Sequence, residues 1–95
     1  MRAYEVMYIL HPDLDEEAIQ SLVDKFQGII TERGGEITNL DKWGKKRLAY
    51  EINHVRDGYY VVMKFKSDPD AVKELDRVFK ITDGVMRHMI IREDD

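Results

Sequence analysis

A cluster of positive charge lies in the middle of the chain, between residues 42 and 47. It contains no carboxylate, and its cations are Lys42, Lys45, Lys46 and Arg47. Cations at this density suit contact with the phosphates of a polyanion, because neutralising each phosphate releases a condensed counterion. On charge alone, a solvated basic hairpin explains the cluster equally well. Trp43 follows the first lysine, and it either stacks on a base or ribose, or covers the sheet edge, or folds back on its own hairpin.

The residues after the cluster alternate in the manner of a strand. One side carries Leu48, Tyr50 and Ile52, and the other side carries Arg47, Ala49 and Glu51. The pattern predicts an extended segment from Ile37 to about Ile52, bent near Gly44 because a glycine inside a strand favours a bend. The cluster therefore lies on a strand at the end of a sheet.

The net charge of the chain is negative, and the two signs are unevenly distributed. The 95 residues indicate a single domain spanning 1–95, with 15 Lys+Arg against 19 Asp+Glu and a formal net charge of −4. Taken whole, this charge argues against nucleic-acid binding. Exposed charges more than about 8 Å apart are largely screened at physiological salt, however, so a local basic patch matters more than the sum. Such a patch is predicted at Lys42–Arg47 together with Arg87 and Arg92.

Cysteine usage and hydropathy point to the cytoplasm. The chain has no cysteine, which fits a reducing compartment and excludes thiolate metal sites. No apolar run approaches the roughly 20 residues that span a bilayer, and no charged-then-apolar leader precedes the first strand. We expect a soluble cytoplasmic protein that does not bind membranes.

Hydrophobic periodicity predicts six elements in the order β-α-β-β-α-β. Helix starts are indicated by Asp13 or Asp15 and by Asp68 followed by Pro69, and helix ends by Gly34 and by Asp83-Gly84. The predicted strands are Arg2–Leu10, Ile37–Ile52, Tyr59–Lys66 and Val85–Arg92, with a hairpin loop at Asn53–Gly58. Right-handed crossovers then place both helices on one face of a four-stranded antiparallel sheet. The predicted fold class is α+β, ferredoxin-like.

The strand period of two divides the sheet residues between its two faces. The side chains predicted to meet the helices are Tyr8, Val61, Met63, Phe65 and Ile90. The opposite, open face carries Met7, Ile9, Tyr60, Val62, Met89 and Ile91. An apolar patch left in water predicts a protein partner, although scattered exposed apolar side chains are also normal. An RNA-stacking platform is disfavoured, because Val61 stands where its second aromatic ring should be.

Catalytic and metal-binding patterns are missing from the sequence. His11, His54 and His88 lie in three separate segments without ligand spacing, and His88 reads as a packed or hydrogen-bonded imidazole. The turn at residues 12–17 is acidic, so it would repel an anionic substrate. We expect a protein that is not an enzyme and carries no cofactor or metal.

Two functional hypotheses remain. The first is a structural RNA-binding protein that works with a protein partner and contacts phosphates without reading bases. Its phosphate contacts would be Arg2, Lys42, Lys45, Lys46, Arg47, Arg87 and Arg92. The second is a ferredoxin-like regulatory module that binds a small metabolite and dimerises through its sheet. The cationic cluster has no evident role in the second hypothesis.

The segment Gly44-Lys45-Lys46-Arg47-Leu48-Ala49-Tyr50-Glu51-Ile52-Asn53 resembles the signature of the sixth protein of the bacterial small ribosomal subunit, the S-six family. The opening Met1–Val6 is similar to that family's start, and so are the segments 57–60, 81–85 and 87–91. The resemblance covers nearly the whole chain. It implies a non-catalytic ribosomal protein that binds the central domain of 16S ribosomal RNA jointly with the small ribosomal protein numbered eighteen. A basic partner would then supply the cations that this acidic chain lacks.

Overall fold

Four antiparallel strands form one sheet in the computed structural model, which describes the backbone of residues 1–52 and 55–93 and the side chains of those ranges apart from 49–52. The elements are β1 (Arg2–Leu10), α1 (Glu16–Glu32), β2 (Glu36–Ile52), β3 (Val55–Ser67), α2 (Pro69–Ile81) and β4 (Val85–Arg92). The strand order is β2-β3-β1-β4. The predicted fold class and element order are confirmed.

The hairpin between β2 and β3 is longer than predicted. Residues 55–58 belong to β3, because the ladder continues through the pairs Lys46–Gly58 and Arg47–Asp57. The predicted loop at Asn53–Gly58 is therefore wrong for its last four residues. Asn53 and His54, together with the side chains of Ala49 to Ile52 and their predicted alternation, lie outside the described residues.

Both helices begin at an aspartate. Asp15, not Asp13, caps α1: its Oδ1 accepts a hydrogen bond of 2.8 Å from the backbone N–H of Ala18. This bond satisfies one of the backbone donors that a helix start leaves unpaired. Asp68 occupies the N-cap position of α2 as predicted, although its side chain makes no capping bond, and Pro69 follows at the first turn. Proline suits that position because its missing N–H would have no intrahelical acceptor there.

The core lies between the helices and one face of the sheet. Tyr8 of β1 packs against Phe26 of α1 and Phe79 of α2, with ring centroids 5.1 Å apart in both pairs. The rings of Phe26 and Phe79 are 4.4 Å apart, so one aromatic cluster joins three elements. The predicted helix-facing residues do face the helices, with Ile90 partly buried and the other four fully buried. Ile29 of α1 is also buried.

Candidate nucleic-acid interface

The open face of the sheet, opposite the helices, is set by the strand register. Met7 of β1 pairs with Val62 of β3 and with Met89 of β4, and Ile9 pairs with Tyr60. Paired residues point to the same side of a sheet. Ile91 follows Met89 at the strand period, so all six residues predicted for this face do share it.

The exposure of these residues differs from the prediction. Met89 and Ile91 are 51% and 45% exposed, whereas Ile9 and Val62 are only 6% and 8% exposed. The expectation that all six are uncovered is therefore wrong for Ile9 and Val62. Both lie on the interior strands β1 and β3, while Met89 and Ile91 lie on the edge strand β4. In addition, the backbone of Gly58 lies directly against Ile9.

The basic residues form two groups instead of one. β2 and β4 are opposite edges of the sheet, so the expectation of a single basic margin is wrong. Lys45, Lys46 and Arg47 pair with residues 57–59 at the start of β3, and Arg87 pairs with Ile9 near the end of β1. These four side chains are exposed and occupy the same end of the sheet, here named the basic end.

Arg2 and Arg92 lie at the other end of the sheet. Arg2 pairs with Ser67 at the end of β3, and Arg92 pairs with Tyr4 near the start of β1. At about 3.3 Å per strand residue, the seven steps from Arg2 to Ile9 cover about 23 Å. That distance exceeds the screening length, so Arg2 and Arg92 form a patch separate from the basic end. Within the basic end, three strand spacings of about 4.8 Å lie between Arg87 and the cations of β2, so screening separates these two sets of cations as well.

Lys42 is directed away from the basic end. It pairs with Val61, which faces the helices, and its Nζ donates a hydrogen bond to Oε1 of Gln20 on α1. Sequence reasoning had grouped it with the other cations because a strand was assumed to carry them all together. The contact with α1 joins residues that are far apart along the chain, so the sequence carried no sign of it.

Trp43 lies on the open face at a distortion in β2. Gly44 has a φ of +84°, and the register shifts between Lys42 and Gly44, which confirms the predicted bend. The indole ring lies over Tyr60, with centroids 6.4 Å apart and planes within 10° of parallel. Its Nε1–H donates to Oδ2 of Asp41 at 3.0 Å. Trp43 therefore packs on its own hairpin and remains 47% exposed.

An open depression of about 400 Å³ lies beside this ring. It is lined by Trp43 and Lys46, so an aromatic surface and an ammonium group meet there. Sequence reasoning noted both residues but not the stack on Tyr60 that fixes the indole. That stack joins two strands through a register shift, and a shift of this kind is not readable from alternation.

His88 is partly buried and packs against α2, as predicted. Its Nε2 lies 2.7 Å from Oδ1 of Asp76, and its ring stacks on Phe79 with centroids 4.8 Å apart. The hydrogen bond with His88, together with the Lys80 ammonium at 3.0 Å, holds the pKa of Asp76 below its usual value of 3.8. This histidine thus joins β4 to α2. Within residues 1–52 and 55–93, no group of three or more His, Cys, Asp or Glu side chains could hold a metal ion.

The acidic residues of α1 and the turn before it are all exposed, on elements other than the basic end. They are Asp13, Asp15, Glu16, Glu17, Asp24 and Glu32. Over the described part of the chain, no helix is both long and apolar enough to cross a membrane. The excess of negative charge lies on α1 and the turn before it, whereas α2 carries equal numbers of acidic and basic residues.

The fold and the surface define a class: an α+β ferredoxin-like domain with an exposed basic end beside a partly apolar sheet face. Comparison with known proteins goes further. A family profile described as "Ribosomal protein S6" matches residues 3–92. The chain is 64% identical over 94 residues to the small ribosomal subunit protein bS6 of Desulforudis audaxviator, covering 99% of this chain and 100% of that relative. It is 58% identical over 95 residues to the bS6 protein of Caldanaerobacter subterraneus, covering 100% of both chains.

A solved structure agrees with the sequence comparisons. The crystal structure of 30S ribosomal protein S6 from Thermotoga maritima is similar with a TM-score of 0.91 and 33% identity, covering 97% of this chain and 87% of that one. The chain belongs to the ribosomal protein S6 family. It is a structural component of the small ribosomal subunit and not an enzyme. The family match confirms the predicted resemblance. It also favours the first functional hypothesis, the RNA-binding protein, over the metabolite-binding module.

Proposed function

We propose that the protein binds the central domain of 16S ribosomal RNA through its basic end, together with the small ribosomal protein numbered eighteen on its open face. The observation that carries this proposal is the arrangement of β4. Arg87, Met89 and Ile91 alternate on the open face, so a cation at the basic end continues directly into exposed apolar side chains. RNA and a protein partner can therefore contact one continuous surface.

The basic end supplies the main phosphate contacts in this proposal. Lys45, Lys46 and Arg47 lie on consecutive positions of β2, and Arg87 lies across the sheet from them. Contacts of this type position the protein on the RNA without reading its sequence, so specificity comes from RNA shape and from the partner. Arg2 and Arg92, at the far end, form a second and separate contact, and Lys42 contributes less because Gln20 engages it.

The open face supplies the partner contact. Met89 and Ile91 are the exposed anchors on β4, and Met7 and Tyr60 on the interior strands are half-buried. Ile9 and Val62 are paired neighbours of these side chains on the same face, and because they are buried they contribute little surface of their own. The partner is expected to be basic, because the chain carries a net charge of −4. The proposal places the protein in the cytoplasm, bound to ribosomes.

Salt titration of RNA binding tests the proposal. We expect the logarithm of the affinity of the two-protein complex for central-domain RNA to fall with the logarithm of salt concentration, by about 0.9 for each duplex phosphate contact. The variant Lys45→Ala/Lys46→Ala should lower that slope by about two. Lys25→Ala/Lys73→Ala is the matched control, because it removes the same charge from exposed helix positions. An affinity that is insensitive to salt would contradict the proposal.

A further inference from the structure

We propose that the outer face of Trp43, with Lys46 beside it, is a stacking site for an unpaired base of the RNA. This inference rests on the proposed RNA-binding function and adds to it one contact with a nucleobase. Phosphate contacts alone need cations but no aromatic ring. The depression beside Trp43 offers both groups, so its chemistry matches a nucleotide and not only a phosphate.

The indole ring is held in place from two directions. Tyr60 supports one face of the ring, with planes within 10° of parallel, and Asp41 accepts a hydrogen bond from the indole N–H at 3.0 Å. These contacts fix the orientation of the ring before any ligand arrives. Because the ring is already fixed, its side chain loses less conformational entropy when a ligand stacks on it. Trp43 is nevertheless 47% exposed, so part of the ring remains accessible.

Charge and access favour a nucleotide at this position. Lys46 lines the same depression, whereas its neighbours Lys45 and Arg47 point to the other face of the sheet. A cation within reach of a stacked base can contact its phosphate. The depression is shallow and open to solvent, so a base can reach the exposed part of the ring. An apolar side chain from a protein partner would leave Lys46 unpaired, whereas the phosphate of a nucleotide pairs it.

The ring provides its own reporter, because Trp43 is the single tryptophan of the chain. The experiment titrates the full chain at low salt with a short oligoadenylate and, separately, with an abasic oligomer of equal length. Stacking should quench the emission of Trp43 with the oligoadenylate, while the abasic oligomer binds the lysines and leaves the emission nearly unchanged. Equal effects of the two oligomers, or no change with either, would overturn the inference.

Variants separate stacking from charge and from folding. Trp43→Leu should weaken oligoadenylate binding at least about fivefold, because stacking on an aromatic side chain contributes that much or more per base. Trp43→Phe keeps a ring and should recover part of the loss. Both variants should unfold at urea concentrations close to that of the parent chain, since Trp43 lies on the surface. If Trp43→Leu binds as tightly as Trp43→Phe, the ring does not contact a base.

The outcome for this inference is distinguishable from that for RNA binding as such. If binding to central-domain RNA depends steeply on salt while the emission of Trp43 stays unchanged, the stacking site is wrong and the proposed function stands. If the chain and its partner protein together bind this RNA with an affinity that does not change with salt, the proposed function itself is overturned. If Lys46→Ala weakens the quenching of Trp43 and Lys25→Ala does not, both the stacking site and the proposed RNA binding are supported.

Discussion

Gly58 and Ile9 lie in direct contact on the open face, so close that a Cβ atom at position 58 would overlap Cγ2 of Ile9. Leu48 closes the other side, with its Cδ2 at 3.5 Å from the same position. The absence of a side chain at Gly58 lets the β2–β3 hairpin lie against β1. This contact helps to explain why Ile9 is buried on a sheet face that was expected to be open.

The first prediction concerns this contact. Gly58→Ala should lower the free energy of unfolding by about 1–3 kcal/mol, because the added methyl group must displace Ile9 or the hairpin. Urea unfolding measures the effect. Gly28→Ala is the control with the opposite sign: it lies inside α1 with no heavy atom within 4 Å of the new Cβ. It should raise the free energy of unfolding by about 0.5–1 kcal/mol. Equal effects at the two glycines would contradict the described packing.

The second prediction concerns the buried hydroxyl of Tyr8. Among the described residues, its Oη is the one buried side-chain polar atom without a hydrogen-bond partner, and burial raises the pKa of the group. Tyr8→Phe removes that oxygen and keeps the ring contacts with Phe26 and Phe79. The free energy of unfolding should rise by about 1 kcal/mol, because an unpaired buried hydroxyl loses its hydration without compensation.

Tyr4→Phe is the matched control for this second prediction. It removes the same atom from a ring that stacks on Phe65, with centroids 5.5 Å apart. We expect it to stabilise the protein less than Tyr8→Phe, or to destabilise it. Denaturant unfolding of both variants under identical conditions provides the comparison. A loss of stability in Tyr8→Phe would show that the hydroxyl has a partner in solution.

The third prediction concerns acid stability through the Asp76–His88 pair. The pKa of Asp76 is lowered in the folded state, first by its hydrogen bond with His88. The charged carboxylate is thus favoured by folding, and its contribution is present above its unfolded pKa of about 4. That contribution is lost as the pH falls through the lower folded pKa. The pair therefore stabilises the protein at neutral pH and fails in acid.

The variant Asp76→Asn tests this pH dependence. It should lower the free energy of unfolding at pH 7 by no more than about 1 kcal/mol, because the pair is partly exposed to solvent. The difference from the parent chain should shrink as the pH falls below about 4. Asp83→Asn, an exposed position between α2 and β4, is the control for the loss of one charge. A difference that stays constant down to pH 2 would show that the pair does not titrate as described.

The fourth prediction concerns the partner surface. Met89→Asp should abolish most of the association with the small ribosomal protein numbered eighteen, because it places a charge within the exposed apolar part of the open face. Ile81→Asp is the matched control, since Ile81 is 66% exposed but lies at the end of α2. Co-purification of the two proteins measures the effect. Val62→Asp is a poor test, because Val62 is buried and the variant would lose stability as well.

The order of the elements and the face of the sheet to which each strand residue points are both predictable from the sequence, because both depend on local periodicity. Asp15, Pro69 and Gly44 each mark a boundary or bend through their own conformational preferences. The errors arose where distant segments meet. Arg87 was grouped with Lys45 and Lys46 at one edge, but β4 pairs with β1 and lies at the opposite edge from β2. Periodicity within a strand says nothing about which strands are neighbours, so this separation had no local sign.

The buried state of Ile9 was missed for the same reason. Alternation shows which side of the sheet a side chain points to, but not what covers that side. The backbone of Gly58 lies against Ile9, and the two residues are separated by about half of the chain. The stack of Trp43 on Tyr60 is another contact between strands that depends on a register shift. Tertiary contacts of this kind decide the shape of the candidate site.

The position of β1 in the sheet has a consequence for synthesis of the protein. β1 is the first strand to leave the ribosome, and one of its two edges pairs with β4, the last strand, through contacts such as Tyr4 with Arg92. That edge stays without its partner until translation has passed the final strand. Nascent chains should therefore gain protease resistance only once β4 has emerged, and a stalled chain that lacks β4 would expose a strand edge to neighbouring molecules.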